Sequence, residues 1–286
     1  MTETHRFGDY TVTRLNDGVF EAPLSMLAQA EGEAVRDRVV TAWGKPSFKV
    51  DVNTFLLRGP DGLTLVDTGA GTAYGPALGQ LRPQLTALGI TPDQIDRVLI
   101  THLHGDHILG LLEGGAAYFP NAEILIPEID LAYFSDAATR EATPEEGRSA
   151  FDGTSAILAA YGDRVRAVPE GPVLPGISVI PLPGHSPGHS GYLIEGSDRD
   201  LLLWADALHL DDVQPGNPKL APIFDNDLAL ALKTRLAVLE EAAQEAWLVA
   251  GGHIRGFFTV SHEGDAFALT KDVVSEIGSQ GVHTGN

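Results

Sequence analysis

"ITHLHGDHILG", residues 100–110, gathers three histidines and an aspartate into six positions of a chain that has ten histidines in all. The stretch follows directly on Val98 and Leu99. A buried strand that ends in a polar loop is a common place for a site, because the strand holds the loop still. A solvated or adventitiously chelating loop is the plain alternative, and the apolar lead-in argues against it. His102 and His104, two apart on extended backbone, point their rings to the same side. Asp106 and His107 come next, where the chain enters a helix. Imidazole and carboxylate are ligands of Zn²⁺ and similar ions. Four candidates in six residues exceed what one ion takes from one loop, so the spacing points to two.

Two ions need more ligands, and the chain offers them after other apolar runs. "PLPGHSPGHSGY" (181–192) supplies His185 and His189, "LLLWADALH" (201–209) supplies Asp206, and "WLVAGGHIRG" (247–256) supplies His253. An aspartate buried at a strand end costs several kcal/mol unless it is paired or bound to metal. Asp206, and Asp67 in "GLTLVDTGAG" (62–71), are therefore informative. These two segments also echo one another, each an apolar strand running into an aspartate, as expected of two similar β-rich halves.

Composition narrows the function classes. The chain has 286 residues, 43% of them hydrophobic, and a formal net charge of −20. Such a surface repels phosphate backbones and anionic lipid, which argues against nucleic-acid and membrane partners. There are no cysteines, so disulfides, thiolate metal sites and a cysteine nucleophile are excluded. The first fifteen residues have no apolar signal-peptide core, and no apolar run reaches the length of a membrane span. The expectation is a cytoplasmic protein made of one domain, residues 1–286, with a homodimer allowed.

Periodicity and turn signals give a coarse map. Asp17-Gly18 in "TVTRLNDGVF" reads as a hairpin turn. Residues 24–43 read as loosely helical, 52–69 as two strands, and 76–88 as a helix ended by Gly89. Thr91-Pro92-Asp93-Gln94 reads as a capping box, followed by a strand over 97–100. Residues 122–128 form another strand, and 129–162 read as helix and loop, in a position to cover the site. Strands follow at "GISVIPLPG", "GYLIEG" and "DLLLWAD". "DNDLALALKTRLAVLEEAAQEA" is the clearest amphipathic helix, capped by Asp225 or Asn226. "AWLVAGGH" is the last obvious strand before a weak tail. His5, His262 and His283 read as surface residues.

His102-X-His104-X-Asp106-His107, with His185, Asp206 and His253, resembles the metallo-β-lactamase-fold hydrolases, and the likeness runs from about residue 7 to residue 270. "VNTFLLRGPDGLTLVDTGAG", "LPGHSPGHS" and "LLLWADALH" resemble the methyl parathion hydrolase-like subgroup, which holds phosphotriester hydrolases and quorum-quenching lactonases. The resemblance implies an α/β fold, a four-layer αβ/βα sandwich with two mixed sheets flanked by helices. It implies that His102, His104 and His185 hold one divalent ion, that Asp106, His107 and His253 hold the other, and that Asp206 bridges them. Asp67 would support the His102 loop from behind, and His189 would make a structural hydrogen bond. Zn²⁺ is the first expectation, with Mn²⁺, Co²⁺ and Fe²⁺ compatible. The chain departs from the pattern at Leu109, where the family has glycine, and at His209, where many acyl-homoserine lactonases carry tyrosine. Its first residues also do not read as the signal peptide expected of the secreted phosphotriesterases.

The reaction so implied is hydrolysis of a lactone or neutral ester by a water activated between two metals, with phosphotriesterase activity as a second capability. Asp106 would move a proton besides ligating, Asp206 would bridge, and His209 would hydrogen-bond substrate or leaving group. Phe119, Tyr133, Phe134, Phe151, Trp43 and Phe224 are the candidate pocket walls. A glyoxalase II-like thioester hydrolase shares the ligands but expects a basic C-terminal patch, and residues 262–286 hold one lysine and no arginine. A β-lactamase or nuclease fits less well, and a non-catalytic metal-binding member would be expected to have lost ligands.

Overall fold

The computed structural model describes residues 3–272. His283 lies outside them. Two seven-stranded sheets form the frame of the fold, and in each the spatial order of strands follows the chain. The first contains β1 (Glu3–Phe7), β2 (Tyr10–Pro23), β3 (Ser47–Gly59), β4 (Gly62–Val66), β5 (Ile95–Leu99), β6 (Glu123–Pro127) and β7 (Val165–Val168). The second contains β8 (Gly171–Leu174), β9 (Ile177–Pro181), β10 (Ser190–Ile194), β11 (Leu201–Leu203), β12 (Leu248–Ala250), β13 (Phe258–Glu263) and β14 (Ala266–Lys271). Both sheets are mixed. β4 to β7 run parallel, as do β11 and β12, and the remaining pairs are antiparallel.

Side-chain alternation stacks these sheets into layers. In β5, Leu99 packs between the sheets against residues such as Tyr192 and Leu203, while Val98 and Ile100 face outward. β11 does the same in the other half, with Leu201 and Leu203 inward and Leu202 outward. Strands buried on both faces read as continuous apolar runs, which is why they stand out in the sequence. The helices are α1 (Glu33–Trp43), α2 (Leu81–Ala87), α3 (Gly105–Ile108), α4 (Glu128–Ser135), α5 (Ala137–Ala142), α6 (Ser149–Tyr161) and α7 (Leu228–Gln244). Residues of α2, α4 and α6 cover the outer face of the first sheet, and Val238, Leu239 and Ala242 of α7 cover that of the second. The result is the four-layer αβ/βα sandwich expected above.

Several local expectations change. Asp17-Gly18 is no hairpin: β2 runs through it with a bulge between Asn16 and Gly18. The buried Asp17 carboxylate instead accepts the backbone N–H groups of Ala70, Gly79 and Leu81 at 2.8–3.0 Å. These bonds take a donor at the start of α2, which therefore begins at Leu81 rather than near Pro76. Residues 24–29 form a short turn and a strand paired to 220–222, so only 33–43 of that stretch is helical. The capping box is present, but it opens a single 3₁₀ turn before β5. The cap of α7 is Asp227, which accepts from Ala229 and Leu230, and not Asp225 or Asn226. The weak tail contains the hairpin β13–β14, turned at Gly264 with φ +62°. Among the described residues, no helix is long and apolar enough to cross a membrane.

Candidate metal centre

The strand ends on which the sequence placed the polar residues converge. Asp67 leaves β4, His102 to His107 leave β5, Asp206 and His209 leave β11, and His253 leaves β12. His185 and His189 lie on the loop between β9 and β10. The parallel pairs β4–β5 and β11–β12 put two such exits side by side in each half. Both central exits bend through left-handed backbone, at Asp67 (φ +59°) and Ala205 (φ +48°). Such conformations cost about 1–3 kcal/mol outside glycine and persist where the surroundings impose them.

His104 Nδ1 lies 3.1 Å from His102 Nε2 and 2.9 Å from His185 Nε2. On the other side, His107 Nε2 and His253 Nε2 lie 3.6 and 3.5 Å from one oxygen of Asp106. Asp206 stands between. Its Oδ2 is 3.2 Å from His185 Nε2 and 2.9 Å from His253 Nε2, and its Oδ1 is 3.3 Å from His107 Nε2. His209 Nε2 is 3.3 Å from the same Oδ2, and its ring stacks on that of His253. His102–His104–His185 and Asp106–His107–His253 each present three ligand atoms within 4.8 Å of one another. So do His102–His107–Asp206 and His185–Asp206–His209. Tetrahedral ligands about 2.1 Å from one ion stand about 3.4 Å apart, so these spacings suit a cation.

Unpaired polar atoms support the same fit. Asp206 Oδ1, His107 Nε2 and both ring nitrogens of His209 are buried without a hydrogen-bond partner. A buried polar atom without a partner costs about 1–3 kcal/mol, and several facing one another make a ligand-ready cluster. Burial pushes every imidazole here toward neutrality. It prevails at His102 and at His104, whose pKa falls to about 3, and at His209, which falls to about 4. At His185 burial is overturned by Asp206 and Asp225, which raise it to about 9. At His107 and His253 Asp206 and Asp106 act likewise. Burial also opposes ionisation of Asp206 and Asp106, but the surrounding imidazoles hold both below the ordinary carboxylate range.

A family described as the "Metallo-beta-lactamase superfamily" matches residues 48–253. The chain belongs to the metallo-beta-lactamase superfamily. It is 28% identical to an N-acyl homoserine lactonase of Bacillus cereus over 222 residues, 70% of this chain and 79% of that protein. It is 28% identical over 212 residues to the probable metallo-hydrolase YqjP of Bacillus subtilis (strain 168), 65% of this chain and 64% of that one. Among solved structures, hydrolase AbOPH of the beta lactamase superfamily superposes with a TM-score of 0.88 at 24% identity, over 96% of this chain and 98% of that one. The dizinc quorum-quenching lactonase AidC does so with a TM-score of 0.85 at 21% identity, over the same shares. This metallo-beta-lactamase superfamily member is a metal-dependent hydrolase.

The superfamily site in this chain rests on side chains that hold the histidines. Asp67 accepts the N–H and hydroxyl of Thr101 at 2.9 and 2.8 Å, and its Oδ2 is 2.8 Å from His107 Nδ1. His189 is not among the converging ligand atoms. Its Nδ1 donates to Leu182 O at 2.7 Å and its Nε2 accepts the backbone N–H of Asp206 at 3.0 Å. Three supporting residues escaped the sequence reading. Asp130 accepts from Leu103 N, Ser186 Oγ and Gly188 N, tying the His102 loop to the His185 loop. Asp225 Oδ1 lies 2.9 Å from His185 Nδ1. Asn53 donates to Gly251 O and Ile254 O, bracketing His253, whose Nδ1 bonds Asp51 O at 2.6 Å. Only the polar cluster before α7 carries a local signal, and that signal reads as a helix cap.

The aromatic candidates separate. Phe119 is fully buried in the core beneath α6 and has no surface to offer a ligand. Phe151 is buried there too, against Tyr133 and Phe134. Phe134 reaches the site, its ring 6.2 Å from that of His104. Phe224 is exposed beside Asp225. Trp43 packs in a separate cluster with Val213 and Leu220. Leu109 has φ −71° and ψ −15°, so it needs no glycine. His5 is not a free surface residue, since its ring packs on Phe257 with centroids 4.2 Å apart. His262 is exposed beside Glu240.

Proposed function

We propose that the protein is a binuclear hydrolase of lactones or other neutral esters, of the N-acyl-homoserine lactone or aryl ester kind. His102, His104 and His185 would hold one divalent ion, Asp106, His107 and His253 the other, and Asp206 both. The observation that carries this reading is Asp206 Oδ2, which lies within 3.2 Å of a histidine from each set. Bound there, two divalent cations supply Lewis acidity and lower the pKa of water. Zinc is the first expectation for this nitrogen and oxygen ligand set.

The chain's own residues do the rest. Asp67 and Asp225 fix the tautomers of His107 and His185 by accepting hydrogen bonds from their Nδ1–H groups, which leaves Nε2 facing inward. Asp106 is the most exposed of the ligand carboxylates and is placed to accept a proton from the attacking water and return it. His209 keeps two uncommitted ring nitrogens beside Asp206 and is placed to donate to a substrate or leaving-group oxygen. The relatives named N-acyl homoserine lactonases favour a lactone, and phosphotriester turnover is the second capability proposed for the same centre. The net charge of −20 favours a neutral over an anionic substrate and disfavours nucleic acid and anionic membranes as partners.

A hydrolysis panel on zinc-loaded protein tests this. It contains acyl-homoserine lactones of several lengths, γ- and δ-lactones, aryl esters, a methyl phosphotriester and a glutathione thioester, with His104→Ala as control. Lactone turnover that H104A abolishes is expected. Two zinc ions per chain with turnover of the thioester alone would replace this reading with the thioester hydrolase.

A further inference from the structure

We propose that Arg235, on α7, is a positioning residue that holds both the His185 side of the metal centre and the Asp206 turn. The inference rests on the metal reading above and assigns a role to a residue remote from the ligands in sequence. Arg235 is 2% exposed, in the middle of an otherwise amphipathic helix. A buried guanidinium is expensive unless its donors are matched. Here all three nitrogens are. Nη2 donates to Asp225 Oδ2 at 3.2 Å, Nε to Ala207 O at 2.8 Å and Nη1 to Pro218 O at 3.1 Å.

These acceptors explain what the charge does. Asp225 uses its other oxygen on His185 Nδ1 at 2.9 Å. Arg235 therefore fixes the carboxylate that orients His185, whose Nε2 then points at His104 and Asp206. Ala207 directly follows Asp206, so the same guanidinium holds the turn that presents the shared carboxylate. One side chain thus sets the relative placement of His185 and Asp206, which come from different loops. The set Asp106–His107–His253 has no hydrogen bond to Arg235 or Asp225 among the described residues. A planar fork with three donors is needed, and lysine does not supply it.

The test is zinc titration of chelator-stripped protein against a chromogenic competitor, for wild type, R235M, R235K, D225N and the double variant R235M/D225N. R166Q, at an exposed pair with Glu123, is the control. Wild type and R166Q are expected to take up two zinc ions. R235M and D225N are expected to keep the first and bind the second about 10–100-fold more weakly, the size of effect seen when a ligand's supporting partner is lost. The double variant is expected to lie within about threefold of the weaker single one, because both act through His185. R235K should fall between R235M and wild type. Circular dichroism of the stripped proteins separates misfolding from misplacement, and if R235M does not fold, D225N decides alone. Equal second-site affinity in D225N and wild type, or additive losses in the double variant, overturns the inference while leaving the metal reading intact. A wild type that takes up no zinc overturns the metal reading and this inference with it.

Discussion

His189 Nε2 accepts the backbone N–H of Asp206 across 3.0 Å, while the Nδ1 of the same ring donates to Leu182 O. A histidine in the "PGHSPGH" loop is thereby committed at both nitrogens and serves the neighbouring carboxylate rather than a cation. His189→Ala leaves a buried donor and a buried acceptor without partners. The expected cost is about 2–4 kcal/mol, read from urea unfolding of the metal-free protein. The penalty depends on pH. Burial lowers the folded pKa of His189 from 6.5 to about 3. The unfolded chain then binds a proton first, and this residue's contribution is present above pH 6.5 and fades as pH falls toward 3. The gap in stability between wild type and H189A should narrow over that range.

Proton release is expected to accompany metal uptake. In the metal-free protein His185 has a pKa of about 9, and His107 and His253 are raised as well. Ligation requires the neutral imidazole, so protons compete with the cation. Folded pKa values above the unfolded ones mean that these protonated histidines stabilise the metal-free fold below pH 6.5, an effect that His185 loses as pH rises through about 9. Zinc affinity should therefore rise with pH up to about 9. Calorimetry in buffers of different ionisation enthalpy at pH 7 should show protons released as zinc binds. Uptake with no net proton release would contradict it.

Gly110 and Leu109 are adjacent, and opposite outcomes are expected for them. A Cβ on Gly110 would sit 1.9 Å from Thr68 O, and Thr68 is itself pinned by two bonds to His107 O. Gly110→Ala must displace the loop that carries His107. A loss of about 1–3 kcal/mol is expected, together with weaker zinc binding. Leu109→Gly restores the residue common in the family, yet Leu109 already has helical backbone and packs on the core. It should cost about 1–2 kcal/mol of burial and leave zinc stoichiometry unchanged.

Asp130→Asn tests the tie between the two histidine loops. The carboxylate accepts three donors, and burial raises its pKa against their pull. An amide turns one oxygen into a donor facing another donor. Loss of about 1–3 kcal/mol is expected, with hydrogen exchange accelerating at both Leu103 and Gly188. Faster exchange at only one of the two would deny the coupling.

What the sequence revealed and what it hid follow from how each residue is held. The residues facing the centre, His185 apart, were legible because they follow strands buried on both faces, and such strands are continuous apolar runs. Asp130, Asp225 and Asn53 were not, because the site loops they hold lie 27 to 201 positions away. Asp130 has the local signature of any acid in the first turn of a helix. Asp225 shares "DNDL" with two other cap candidates, and only the packing of Arg235 distinguishes it. Asp17-Gly18 misled for a related reason. The pair is a turn former locally, but the distant N–H groups of residues 70–81 make the aspartate a cap and leave a bulge in a long strand.

Exposed apolar residues that neighbour the supporting carboxylates in sequence are the candidates for selectivity. Ile129 is 57% exposed and adjoins Asp130, which bonds the loop at Ser186 and Gly188. Ile223 and Phe224 are 52% and 36% exposed and adjoin Asp225, which bonds His185 of the same loop. These three are therefore exposed apolar residues next in sequence to the carboxylates that hold one loop of the site. Covering such a side chain with an acyl tail is worth about 1 kcal/mol, roughly fivefold in affinity. Ile223→Ser and Phe224→Ser should each raise KM for long-chain acyl lactones about fivefold, with little change in kcat or in KM for simple γ-lactones. That contrast is the decisive readout. A weakened metal centre would lower kcat for every substrate, whereas loss of an apolar contact away from the reacting atoms removes binding that is the same in ground and transition states. A uniform fall in kcat across the panel would show that the substitutions act through Asp225, and that the tail runs elsewhere.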